Sequence, residues 1–98
     1  MSMFHLGVQY LQGHGVEQDF VKAAELFQKA SDEAGIIGAG FNLAMLYHRG
    51  QGVPRDLQKS IDILLKYSPY DKNAREMLDT IHKEATLDGS LNKRNNKK

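Results

Sequence analysis

Cysteine is missing from this 98-residue chain, and proline occurs only twice. Without cysteine there is no disulfide framework, zinc ribbon or thiol nucleophile, and nothing requires an oxidising compartment. No apolar run approaches the ~18 residues expected of a transmembrane helix, and no stretch alternates with the period of a strand. The first residues lack the basic region and apolar run of a signal peptide. The chain as written is therefore expected to be cytoplasmic, and secreted or periplasmic if it is a piece of a longer precursor. An excess of one sign of charge is also missing, with a net value of only +1. That balance is uneven: residues 1–87 carry nine Lys/Arg against eleven Asp/Glu, while residues 88–98 carry four against one.

What the chain does have is a repeat. GHGVEQDFVKAAELFQK, from Gly13, returns as GQGVPRDLQKSIDILLK, from Gly50, at a constant offset of 37 residues. A fixed period of this length indicates stacked supersecondary units. Helix formers dominate, and five helices read out of the pattern. The first spans about Met3 to Leu11 and stops at Gly13. A second starts after Asp19, a good N-cap, and carries Phe20, Ala23, Ala24, Leu26, Phe27 and Ala30 on one wide stripe before Gly35. The third spans Ile37 to Arg49, with Ala39, Leu43, Ala44, Leu46 and Tyr47 inward. The fourth follows Pro54-Arg55-Asp56, with Leu57, Ile61, Leu64 and Leu65 as its apolar face, and ends at Ser68-Pro69. The fifth, Lys72 to Leu87, puts Ala74, Met77, Leu78, Ile81 and Ala85 on one stripe. Residues 88–98 are polar, basic and low in complexity, and are expected to be a disordered tail.

Each unit is thus helix, glycine turn, helix. Such a hairpin cannot bury its stripe alone, and the next hairpin supplies the cover. In the shared G-x-G-V-x-x-D connection, the glycines reverse the chain, the valine plugs the hairpin end and the aspartate caps the outgoing helix. Small residues at Gly7 and Ala44 let the paired helices approach closely.

At these residues the chain resembles the Sel-one-like repeat (SLR) family, a relative of the tetratricopeptide repeats. The first repeat carries the pattern through Leu6, Gly7, Tyr10, Gly13, Gly15, Val16, Asp19, Lys22, Ala23, Leu26, Phe27, Lys29, Ala30 and Gly35. The second carries it through Ala39, Leu43, Tyr47, Gly50, Gly52, Val53, Asp56, Lys59, Ile63, Leu64 and Lys66. It departs at Ala44 (for Gly), at Ser60 (for Ala) and in the closing segment Tyr67-Ser68-Pro69-Tyr70. The resemblance implies an all-α, right-handed α-solenoid of stacked antiparallel helix hairpins. About two and a half repeats fill residues 1–87, and the last helix caps the C-terminal end. Family members are mostly non-catalytic scaffolds and adaptors.

The residues offer little chemistry to set against that. His5, His14, His48 and His82 include no pair at i, i+4 and no H-E-x-x-H. Ser31, Ser60 and Ser68 lack a nucleophile-elbow context. GHGV and GQGV follow helices and lack the G-K-[ST] of a phosphate loop. No enzyme activity, metal or cofactor is expected. Lys93, Arg94, Lys97 and Lys98 carry no interleaved aromatics, so specific nucleic-acid binding is not expected.

The expected partner is a protein or peptide. By position in tetratricopeptide-like stacks, the concave groove is lined by Phe4, Val8, Phe41, Asn42, Met45, His48 and Arg49, and continued by Asn73, Glu76, Thr80 and Lys83. Asn42 falls where some relatives hold a peptide's C-terminal carboxylate, but the lysines of that clamp are not at the matching places. The alternative expectation is self-assembly: Met1-Ser2-Met3-Phe4 begins inside a first helix with no capping charge. Its apolar edge would pair with a second copy, as a homo-oligomer, or with missing upstream repeats.

Overall fold

A computed structural model describes residues 2–88, with the side chains of Ala85, Thr86 and Asp88 left aside. The tail expected over 88–98 lies outside the described residues from Gly89 onward, as does Met1 of the expected N-terminal edge. Five helices follow in order: α1 (Met3–Gln12), α2 (Phe20–Ala34), α3 (Ile37–Arg49), α4 (Leu57–Tyr67) and α5 (Lys72–Asp88). Each packs on its neighbours in the chain, giving two hairpins, α1–α2 and α3–α4, with α5 laid on α4. The chain is an all-α helical repeat solenoid. Among the described residues no helix is long and apolar enough to cross a membrane.

The doubled segment folds twice into one shape. Asp19 and Asp56 cap α2 and α4, each accepting through Oδ1 from the backbone N–H three residues on, both at 3.1 Å. Their own N–H groups reach back to the carbonyls of Tyr10 (2.9 Å) and Tyr47 (3.0 Å), closing the two turns alike. The residue before each cap also ties the turn: Gln18 Nε2 donates to the Leu11 carbonyl and Arg55 Nε to the His48 carbonyl. At α1, Ser2 takes the capping task by accepting from the His5 N–H, so this end does have a cap, though an uncharged one.

Two apolar cores result. The first lies between α1, α2 and α3, where Ala23, Ala24, Phe27 and Ala30 meet Ala39, Leu43 and Leu46. The second lies between α3, α4 and α5, where Leu57, Ile61, Leu64 and Tyr67 meet Ala44, Ala74, Leu78 and Ile81. Val53 packs against the first core, the hairpin-end plug expected of it. Leu65 departs from expectation. It is 50% exposed, because the stripe of α4 continues through Ser60 and Tyr67 instead. Both replacements are buried and polar, and both are hydrogen-bonded, as burial demands. Ser60 Oγ donates to the Ala44 carbonyl at 2.6 Å, and the Tyr67 hydroxyl meets Ser31 Oγ at 2.5 Å, linking α4 to α2.

The departures of repeat two from the family pattern are therefore coupled by size. In repeat one the Phe27 ring lies over Gly7, where an added Cβ would stand 2.8 Å from a ring carbon. At the equivalent places repeat two has Leu64 and Ala44, a smaller side chain facing a larger one. The reverse exchange occurs one turn away. Gly40 makes room for the Tyr67 ring, whereas repeat one has Met3 and Ala30. Interiors are packed closely enough that such changes must come in pairs.

This pairing is testable by a double-mutant cycle. Gly7→Ala should cost about 1–3 kcal/mol by overpacking against Phe27. With Phe27→Leu in place, the same change should cost nothing or stabilise, since alanine then expresses its helix preference of about 1 kcal/mol over glycine. Urea unfolding followed by circular dichroism measures both, and equal costs in the two backgrounds would contradict the pairing.

Candidate partner-binding groove

α1, α3 and α5 contribute to one face of the stack, and the sequence-predicted residues distribute along it unevenly. Phe4, Phe41, Asn42 and Asn73 converge on a cleft of about 360 Å³, together with Ile37, Gly38 and Asp71. Phe4 is half-buried, packs on the first core, and its ring tilts against Phe27 with centroids 6.1 Å apart. Phe41 is half-buried and packs on the second core. Val8 packs on the first core. Met45 is half-buried and, among the described residues, belongs to neither core. Arg49, Glu76, Thr80 and Lys83 are exposed, and none of them lines the cleft.

The polar groups of the cleft are available. Asn42 is half-buried and Asn73 exposed, and neither side-chain amide has a hydrogen-bond partner among the described residues. Asp71 caps α5 by accepting through Oδ2 from the Ala74 N–H at 2.9 Å, and its other oxygen has no partner among the described residues. Ile36 gives α3 no side-chain cap, and among the described residues the N–H groups of Ile37 and Gly38 make no backbone hydrogen bond. Sequence reasoning placed the start of α5 but missed Asp71. Its signal was an Asp three residues before Ala74, a capping position. Ile37 and Gly38 were missed because only the packing of α1 beside α3 turns the start of α3 into a wall.

Farther along, His48 contacts Glu84 through Nε2 and Oε1, joining α3 to α5. Its Nδ1 is buried without a partner among the described residues. Nothing in the sequence pattern singles out Glu84, because its pairing depends on the stacking of α5. A second opening, of about 400 Å³, lies on another side between α2 and the α3–α4 turn, walled by Val21, Ala24, Leu43, Tyr47 and Val53. Although larger, it is the gap that repeat spacing leaves between α2 and the next turn. Its amide, Gln28, is already bonded to Asp32, and its charged groups, Glu25 and Lys29, are exposed side chains of α2. The smaller cleft combines apolar walls with uncommitted polar groups, the composition that fixes a ligand's orientation.

The face keeps its shape through apolar packing more than through the His48–Glu84 pair, since partly exposed pairs contribute little. Glu84→Gln should therefore cost less than about 1 kcal/mol. Ile81→Ala, which empties a buried site, should cost about 2–4 kcal/mol. Chemical denaturation of the two variants checks the order, and the reverse ranking would contradict it.

Comparison with known proteins agrees with this architecture. The family model described as the Sel1 repeat matches residues 1–34 and 39–66. A Sel1 repeat protein from Oxalobacter formigenes is similar at 33% identity and a TM-score of 0.76, over 89% of this chain and 35% of that one. A protective antigen of uropathogenic Escherichia coli, displaying an SLR fold, is similar at 28% identity and a TM-score of 0.74, over 89% of this chain and 18% of that one. The chain thus spans about a third or less of these solved relatives. No curated protein matches it. Proteins of this kind generally mediate protein–protein interaction and form a non-catalytic scaffold family. With both hairpins matched in register, the chain belongs to the Sel1 repeat family.

Proposed function

We propose that this chain is a non-enzymatic adaptor that holds a partner peptide or helix against the face formed by α1, α3 and α5. The observation that carries this reading is the cleft itself. Phe4, Phe41, Asn42 and Asn73 come from three helices to surround it, and the two amides there have no partner among the described residues. A preformed groove lowers the ordering cost of binding, and a few apolar anchors supply most of the affinity. Met45 extends the surface beyond the cleft and, among the described residues, serves neither core. Replacing Asn42 and Met45 together by Ala should weaken binding of peptides selected on the chain about tenfold, equivalent to about 1.4 kcal/mol. The far-ultraviolet circular dichroism should not change. Phe41 is a poorer probe, because its packing on the second core mixes folding with binding. Fluorescence anisotropy measures the affinity, and undiminished binding by the double variant would count against the groove.

A second reading, self-assembly through the outer face of the first hairpin, is favoured by one comparison between the repeats. Gly52 sits with φ +78° so tightly on α2 that an added Cβ would be 2.4 Å from the Phe20 backbone. Gly15, its equivalent, has the same φ and nothing within 4 Å. On the same hairpin Leu6 is only half-buried, whereas its counterpart Leu43 is buried; Tyr10 and Val16 are half-buried, as are Tyr47 and Val53. A second copy seated there would cover Leu6, Tyr10 and Val16. Sedimentation over a concentration series should then show a dimer that Tyr10→Glu dissociates, and a monomer at the highest concentration would rule this pairing out.

A further inference from the structure

The groove reading leaves open what chemistry the partner presents, and the cleft itself narrows it. Resting on that reading, we propose that the cleft between the start of α3 and the start of α5 takes the side chain of a lysine or arginine from the partner. The methylene stem lies against Phe4 and Phe41, and the cationic end meets Asp71.

The walls exclude the other choices. Phe4, Ile37 and Phe41 are half-buried apolar surface, and the Phe4 ring packs onto Gly38, where a Cβ would stand 3.1 Å from it, so ring and glycine form one continuous wall. That suits an apolar stem of some length. Among the described residues, the one charged side chain lining the cleft is a carboxylate, Asp71. Its Oδ2 is committed to the cap of α5, while the second oxygen has no partner among the described residues. A wholly apolar occupant would desolvate that oxygen and both amides without compensation, which is costly for a polar group and more so for a charge. An acidic occupant would add like-charge repulsion. Lysine and arginine meet both requirements, because they bury a methylene stem and keep a charged head at the polar rim. Aromatic ring faces add attraction for a cation.

The remaining groups fit the main chain of the same segment. Asn42 and Asn73 each offer a carbonyl acceptor and an amide donor. The N–H groups of Ile37 and Gly38, without backbone partners, suit a peptide carbonyl oxygen.

The test is an unbiased array of random short peptides, probed with the full 98-residue chain and with its Asp71→Asn variant. Asparagine is also a good N-cap, so α5 keeps its start. Arginine or lysine should be enriched about threefold or more at one position among bound peptides, and the enrichment should disappear with Asp71→Asn. Replacing that arginine by citrulline, or that lysine by norleucine, in the best peptide should weaken binding about tenfold, the size of one charge-assisted hydrogen bond. Peptides that bind without a basic preference, or a preference that survives Asp71→Asn, would overturn the inference and leave the groove reading standing. Binding indifferent both to Asp71→Asn and to the Asn42/Met45 double replacement, or no peptide bound at all, would sink both.

Discussion

Everything else in this chain rests on the seating of α3 against α2. A single hairpin leaves one side of its apolar stripe open, and here the opening is filled by the next helix, whose Ala39, Leu43 and Leu46 enter the first core. The contact is close because α2 presents alanines at Ala23, Ala24 and Ala30. It is also tied at the end, where the α3–α4 turn passes so near Phe20 that only a glycine fits at Gly52. α3 turns Ala44 to the second core at the same time. One helix thus serves two cores, so its position decides how α1 and α5 stand relative to each other. The cleft and the His48–Glu84 contact follow from that position.

The two hairpins solve the same packing problem with different side chains. Where repeat one sets a phenylalanine over a glycine, repeat two sets a leucine opposite an alanine and gains a serine, Ser60, that bonds the alanine's own carbonyl. Where repeat one has Met3 and Ala30, repeat two has Gly40 and Tyr67, and the tyrosine hydroxyl reaches Ser31 of the first hairpin. Departures from the family pattern that look like wear in the sequence are compensated substitutions in the fold. The Tyr67–Ser31 bond also gives the second hairpin a polar latch on the first, and a buried bond of this kind specifies one arrangement because leaving either group unpaired is expensive.

The helices were legible because their limits are set locally. Asp19, Asp56 and the glycines at Gly13, Gly35 and Gly50 mark starts and stops that need no knowledge of the tertiary structure. The buried faces of α2 and α3 were legible from periodicity for the same reason, except that Leu26 stays half-buried and lines a shallow opening with Leu6 and Tyr10. Leu65 was misplaced because Tyr67 and Ser60 took its share of the α4 stripe, and hydrophobicity alone could not anticipate a tyrosine satisfied by a serine 36 residues away. The groove was legible only in part. Phe4, Phe41, Asn42 and Asn73 were found by position in the repeat, and the cleft brings them together. Asp71 escaped because it stands between helices, outside the repeating helix positions. Glu84 escaped because its contact exists only once α5 has stacked.

A scaffold of this kind works if its face is one rigid body, which requires the two hairpins to unfold together. Native-state hydrogen exchange measures this directly. The account predicts that the slowest amides of α2, around Phe27, and of α3, around Leu43, exchange with the same opening free energy as those of α4 around Leu64. Amides of α1 and α2 that open several kcal/mol more easily than those of α3 and α4 would show the hairpins to be independent, and would contradict it.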